Sequence, residues 1–136
     1  MFYFNKGSLD IGSEWQDRTM VLLTVENQSI TITYNKRIPY GMTFDDFCTK
    51  EFEELSQQLT GYQEFKRERK TISGLNAELS EFFWVSPKGK FHQLLSIIDT
   101  KDNFPLFLTC TNVGKMTDSQ KDRFNSIIET FKPNIK

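Results

Sequence analysis

The sequence predicts an α+β domain: a mostly antiparallel twisted sheet with two helices packed on one face, the other face left as a concave apolar surface. Three observations carry this expectation. Strand-like runs outnumber helical ones and gather into hairpins, only two segments keep helical spacing, and residues 80–99, SEFFWVSPKGKFHQLLSIID, are apolar on both alternations. A strand with one wet face alternates, whereas Phe82, Phe83, Trp84 and Val85 are apolar in succession, as are Leu94 and Leu95, then Ile97 and Ile98. Something must cover the second face.

The elements follow in chain order. Phe2-Tyr3-Phe4 gives the first strand signal, and TMVLLTV (19–25) and SITITYN (29–35) read as a hairpin around a tight turn at Glu26-Asn27. A two-residue turn pairs Val25 with Gln28, Leu23 with Ile30 and Val21 with Ile32. One face then carries Val21, Leu23, Ile30 and Ile32, and the other sets Met20, Leu22 and Thr24 against Ser29, Thr31 and Thr33. The clearest helix starts at an N-cap, Thr43, with Asp45 and Asp46 opposing the positive dipole end, and Gly61 marks its stop. Phe44, Phe47, Cys48, Phe52, Leu55 and Leu59 form its single apolar stripe.

The charged run EFKRERKTIS (64–73) reads as an edge strand, where Lys and Arg discourage further pairing. Gly74 turns the chain into the hairpin of residues 80–99, whose connection spans 86–90. A five-residue loop there aligns Phe83 with Gln93 and Glu81 with Leu95, and a four-residue loop shifts the register and exchanges the faces. PLFLTCTN (105–112) is a further strand. A last helix opens with the capping box Thr117 and Gln120 and presents Phe124, Ile127, Ile128 and Phe131 before Pro133. Two helices with one stripe each roof one face only, so the other face is expected to meet a second copy, a ligand or a partner chain.

Size and charge bound the function. With 136 residues the chain forms one domain, 1–136, without repeats or linkers. Area scaling gives roughly 7,400 Å² exposed when folded, against roughly 23,000 Å² unfolded. Seventeen basic and eighteen acidic residues leave a formal charge of −1, which provides no footprint for nucleic acid or anionic lipid. No apolar run reaches the length of a membrane span, and MFYFNKGSLDIGSEW lacks the regions of a signal peptide, so stable membrane insertion is not expected and a cytoplasmic location is. Cys48 and Cys110 lack disulfide-framework or metal spacing and read as reduced packing residues.

Candidate chemistry is sparse. His92 is the sole histidine, sits in an apolar strand and has no nucleophile motif beside it, so it reads as a packed or surface residue. Asp45 and Asp46 are explained by capping, Glu53 and Glu54 by a solvated helix face, and the glycines are scattered singly with no phosphate loop. No catalytic residue, metal site or cofactor is therefore expected. Thirteen phenylalanines belong mostly to the core, but apolar residues on both faces of one sheet favour a binding surface.

The segments FYFNKGSLDIGSEWQDRTM, IPYGMTFDDF, LSQQLTGYQEF, ISGLNAELSEFFW, HQLLSII and LTCTN followed by IIETFKP occur in an order that resembles Eag-type chaperones. These are small adaptors of bacterial type VI secretion within the DcrB-like, PsbP/Mog-type α+β group. The likeness covers nearly the whole chain. It implies a homodimer whose sheets form a cupped apolar surface for the N-terminal transmembrane helices of a secreted effector, often one with PAAR or Rhs regions, before loading onto the secretion spike. It also implies groove glutamines, for which Gln93 is a candidate beside Gln57 or Gln58.

The expected partner-binding set is Met20, Leu22, Thr24, Thr31, Thr33, Gln58, Phe83, Gln93 and Leu95. Its threonines stand where more aliphatic groups would make a deeper lining. The competing readings are a small-molecule or lipid carrier using the same sheet face, and a structural subunit whose apolar face is consumed by dimerisation.

Overall fold

The computed structural model describes residues 2–4, 6–10 and 12–134. Its elements are β1 (Phe2–Phe4), β2 (Gly7–Leu9), β3 (Val21–Val25), β4 (Gln28–Thr33), α1 (Phe44–Gln58), β5 (Gln63–Ile72), β6 (Leu75–Ser86), β7 (Gly89–Ile98), β8 (Leu106–Val113) and α2 (Asp118–Glu129). Among the described residues, strands β1 and β2 pair only with each other, while β3 to β8 form one antiparallel sheet in the order β3-β4-β8-β7-β6-β5. The expected α+β class, with an antiparallel sheet and two helices, is what the chain adopts.

Turn chemistry sets most of the registers. Glu26 takes a left-handed φ of 52°, and the two-residue turn aligns Val21 with Ile32, Leu23 with Ile30 and Val25 with Gln28, as the sequence predicts. Ser73 and Gly74, at φ 50° and 78°, close β5 onto β6 in the same way. The β6–β7 hairpin closes more tightly than either expected loop, with Ser86 opposite Gly89 and only Pro87 and Lys88 between them. Ser86 Oγ accepts from the Lys88 N–H and donates to the Gly89 carbonyl, which holds the compact turn. The resulting register sets Phe82 opposite Gln93 and Phe83 opposite His92, that of the shorter loop. One residue of shift sends Phe83 to the other face from Gln93.

Both helices begin as their caps dictate. Thr43 accepts from the Asp46 N–H, and Thr117 and Gln120 form a reciprocal capping box. Their placement differs from the expectation of a shared face. Phe47, Cys48 and Phe52 of α1 pack with Phe82, Leu95 and Ile97, whereas Phe124 and Ile128 of α2 pack with Leu79, Leu94, Ile98, Leu106, Leu108 and Cys110. Leu94 and Leu95 are adjacent and belong to opposite cores, so the helices lie on opposite faces of the sheet. The reason lies in the unbroken apolar runs. Strands β6 and β7 are apolar on both alternations, and each of their faces takes one helical stripe as its cover.

The two sheet edges differ sharply. On β5 the charged residues are laced together: Arg67 meets Glu64 at 2.7 Å, Lys66 and Lys70 reach Glu68 at 3.4 and 3.7 Å, and Arg69 pairs with Asp45 of α1. The expected edge character of this run is what the structure shows. On β3, at the other edge, all five residues are exposed and none is charged.

Candidate functional site

The face covered by α1 carries three cross-strand rows. Thr24, Ser29, Thr111, Gln93 and Phe82 make one, Leu22, Thr31, Thr109, Leu95 and Ser80 the next, and Thr33, Phe107 and Ile97 the third. Helix α1 seals the β6–β7 ends of these rows, with Phe47 edge-on to Phe107 at 6.0 Å. Towards β4 and β3 the helix no longer covers the sheet. There Ser29, Thr31, Thr33 and Thr109 are half-buried, Thr24 is exposed and Leu22 is 59% exposed. The result is a shallow floor of hydroxyls and methyls, bordered by leucine on β3 and by α1 on the other side.

A polar chain crosses this floor. Trp84 Nε1 donates to Gln93 Oε1 at 2.7 Å, and Gln93 Nε2 donates to Thr111 Oγ1 at 2.8 Å. Both ends of the amide are thereby oriented, leaving one further N–H and one carbonyl lone pair for another partner. Phe91 stands edge-on to Trp84 at 5.3 Å and closes the turn end of the surface.

Leu22, Thr24, Thr31, Thr33 and Gln93 thus share one face, and Met20, just ahead of β3, joins Thr33 and Phe107 in a cleft beside it. The remaining three expected positions lie elsewhere. Leu95 is in the same row but 5% exposed beneath α1, because the helix covers β7. Phe83 is on the α2 face, with its ring stacked on His92 at 4.1 Å. Gln58 is exposed in the last turn of α1. Ser29, which the hairpin register already places on this face, and Thr109, Trp84 and Phe91 line the surface outside the expected set, and Thr111, 7% exposed, is buried within it. The alternation of Thr109 and Thr111 with Leu108 and Cys110 was the available signal.

The opposite face holds a buried polar cluster at the start of α2. His92 is 1% exposed, and its Nε2 lies 2.8 Å from Glu81 Oε2. Lys121 reaches the same carboxylate at 2.9 Å, and the Met116 backbone N–H donates to His92 Nδ1 at 2.8 Å. Burial pushes His92 below its ordinary pKa despite the hydrogen bond to Glu81, and nearby Lys121 and Lys115 act in the same direction. For Glu81 burial opposes ionisation, yet the hydrogen bonds from Lys121 and His92 outweigh it and hold the carboxyl below its usual range. The cluster ties β6, β7 and the β8–α2 loop together. Burial also raises both free thiols, Cys110 to about 12, in keeping with packing roles.

The sequence profile of the DcrB family matches residues 6–130. The chain belongs to the DcrB family. Among solved structures, this DcrB-family protein is similar to "Protein of Unknown Function PA94 from Pseudomonas aeruginosa, Putative Regulator". The match has a TM-score of 0.78 at 18% identity over 99% of this chain and 96% of that one, a likeness of fold. A second match is the solution structure of cyanobacterial PsbP (CyanoP) from Synechocystis sp. PCC 6803, with a TM-score of 0.47 at 17% identity, covering 76% of this chain and 62% of that one. No curated protein matches the sequence. Among the described residues, no helix is long and apolar enough to cross a membrane.

Proposed function

We propose that this DcrB-family protein is a non-enzymatic cytoplasmic chaperone that shields the N-terminal transmembrane helices of a type VI secretion effector and helps load it onto the secretion spike. The observation that carries the reading is the half of one sheet face that α1 leaves open, from Gln93 through Thr109 and Thr31 out to Leu22. Apolar helices destined for lipid need an apolar lining while in water. Helices that pack closely in membranes expose small and hydroxylated residues, and threonine methyls with nearby hydroxyls suit such a surface. The oriented Gln93 amide adds a donor and an acceptor for polar atoms on the guest. The resemblance of the sequence segments to Eag-type chaperones supports the same reading.

The test is coexpression with the N-terminal fragment of the large open reading frame beside its gene, followed by size-exclusion chromatography with light scattering. A soluble complex that requires the fragment's apolar helices and is lost in Leu22→Asp supports the reading. A chain that ignores the fragment and copurifies with extractable lipid replaces it with a carrier.

A further inference from the structure

We propose that the cleft between α2 and the β5 edge is a binding site for a small zwitterion, a free α-amino acid with an aliphatic side chain. The cleft has a volume of about 170 Å³, room for one small organic molecule. Its floor is Leu79 and Leu94, which places it on the α2 face, away from the open half-face. The proposal therefore does not depend on the chaperone reading.

The polar groups at its depth are fixed in place and not fully used. Glu81 is 7% exposed, and its contacts with His92 and Lys121, at 2.8 and 2.9 Å, both fall on Oε2. A carboxylate has lone pairs on both oxygens, so Oε1 keeps capacity for a further donor. Lys121 is held from two sides, by that carboxylate and by the ring of Phe65, whose centroid lies 5.4 Å from the ammonium. An ammonium carries three N–H groups, so Lys121 also has donors to spare. Asn125, one turn further along α2, adds an amide to the same wall.

Phe65 is the residue that the fold alone does not explain. It is the extra residue of a bulge in β5, between Glu64 opposite Phe82 and Lys66 opposite Glu81, and it is 68% exposed within a charged run. Bulges are frequent beside functional sites, where they re-aim a side chain. This one brings a phenyl ring to the wall of the cleft, so an aliphatic group resting on Leu79 and Leu94 meets an apolar neighbour on its other side.

The charge pattern sets the ligand class. Two ion pairs line the cleft, Lys121 with Glu81 and Lys66 with Glu68 at 3.4 Å. The lining is thus neutral in sum and charged in detail. A ligand with a single charge meets its opposite and also its like, whereas a zwitterion offers a carboxylate to the lysines and an ammonium to the glutamates. The Lys66–Glu68 pair is solvent-exposed and weakly held, so it yields to a guest, while Lys121 and Glu81 stay fixed.

The test is an NMR titration of the isotope-labelled full chain with L-leucine and, separately, with its two single-charge analogues, isocaproate and isoamylamine. Leucine at millimolar concentration is expected to give saturable shifts at Phe65, Leu79 and Asn125, with Thr31 and Gln93 on the opposite face unmoved. Each analogue is expected to bind about tenfold more weakly, for want of one charge-assisted contact. Phe65→Ala, at an exposed position, is expected to weaken leucine by about fivefold with an unchanged melting temperature. Asn125→Ala leaves the buried Glu81 contacts intact and is expected to weaken leucine in the same way. No saturable shift, an analogue that binds as tightly as leucine, or unchanged affinity in both variants overturns the proposal.

Discussion

The backbone N–H of Met116 donates to Nδ1 of His92 over 2.8 Å, which leaves Nε2 as the nitrogen that carries hydrogen and donates to Glu81. A neutral imidazole therefore serves both contacts at once. A protonated ring has no lone pair for Met116, so the loop leading into α2 depends on the neutral form.

His92→Ala is expected to cost about 2–4 kcal/mol, because it opens a cavity and removes one of the partners of the buried Glu81 carboxylate. Urea unfolding followed by circular dichroism measures it. A loss below about 0.5 kcal/mol would show that the cluster does not hold the two layers together.

Acid should weaken the fold in two stages. The folded pKa of His92 is lowered from 6.5, so below about that pH the unfolded chain takes up a proton that the folded one resists, and stability falls as pH falls. The folded pKa of Glu81 is lowered from 4.5, so its contribution is present above that value and is lost as pH falls through the folded pKa. Melting temperature against pH should therefore begin to drop near 6.5 and steepen below 4.5. In His92→Gln the upper stage should vanish.

Leu95→Asp and Leu22→Asp separate core from surface within one cross-strand row. Leu95, 5% exposed under α1, should cost more than about 4 kcal/mol as an aspartate, since the charge has no partner there. Leu22, 59% exposed, should change stability by no more than about 0.5 kcal/mol while abolishing capture of the effector fragment. Chemical denaturation and a pull-down on the same preparations decide both.

Gln93→Ala leaves Trp84 Nε1 and the Thr111 hydroxyl without their amide and should cost about 1 kcal/mol. Under the chaperone reading it should weaken the effector complex well beyond that, read as faster dissociation in surface plasmon resonance. Equal affinities would remove Gln93 from the surface.

Local chemistry made much of this fold readable. The two-residue Glu26-Asn27 turn settles the β3–β4 pairs, Thr43 and the Thr117–Gln120 box mark the helix starts, and the charges of β5 declare an edge. Two features depended on a choice that local rules leave open. The β6–β7 register turned on whether residues around Pro87 form a long or a short loop, and that single residue moved Phe83 across the sheet. The sides taken by the helices are a tertiary matter, since an apolar stripe declares that a helix packs and not against which face. The same ambiguity hid the open half-face: Leu95 looks like Leu22 in sequence, and only α1 distinguishes them.

The unlike edges of the sheet also bear on how far assembly can run. A strand stack that is bare at both margins adds copies without limit and grows into filaments. Here β5 is fenced by charges pinned to their neighbours, while β3 carries no charge, so only one margin of the sheet is left unguarded. A strand laid against β3 leaves β5 as the far margin of the sheet, and that margin is charged. The arrangement lets a chain display an apolar edge without seeding fibres.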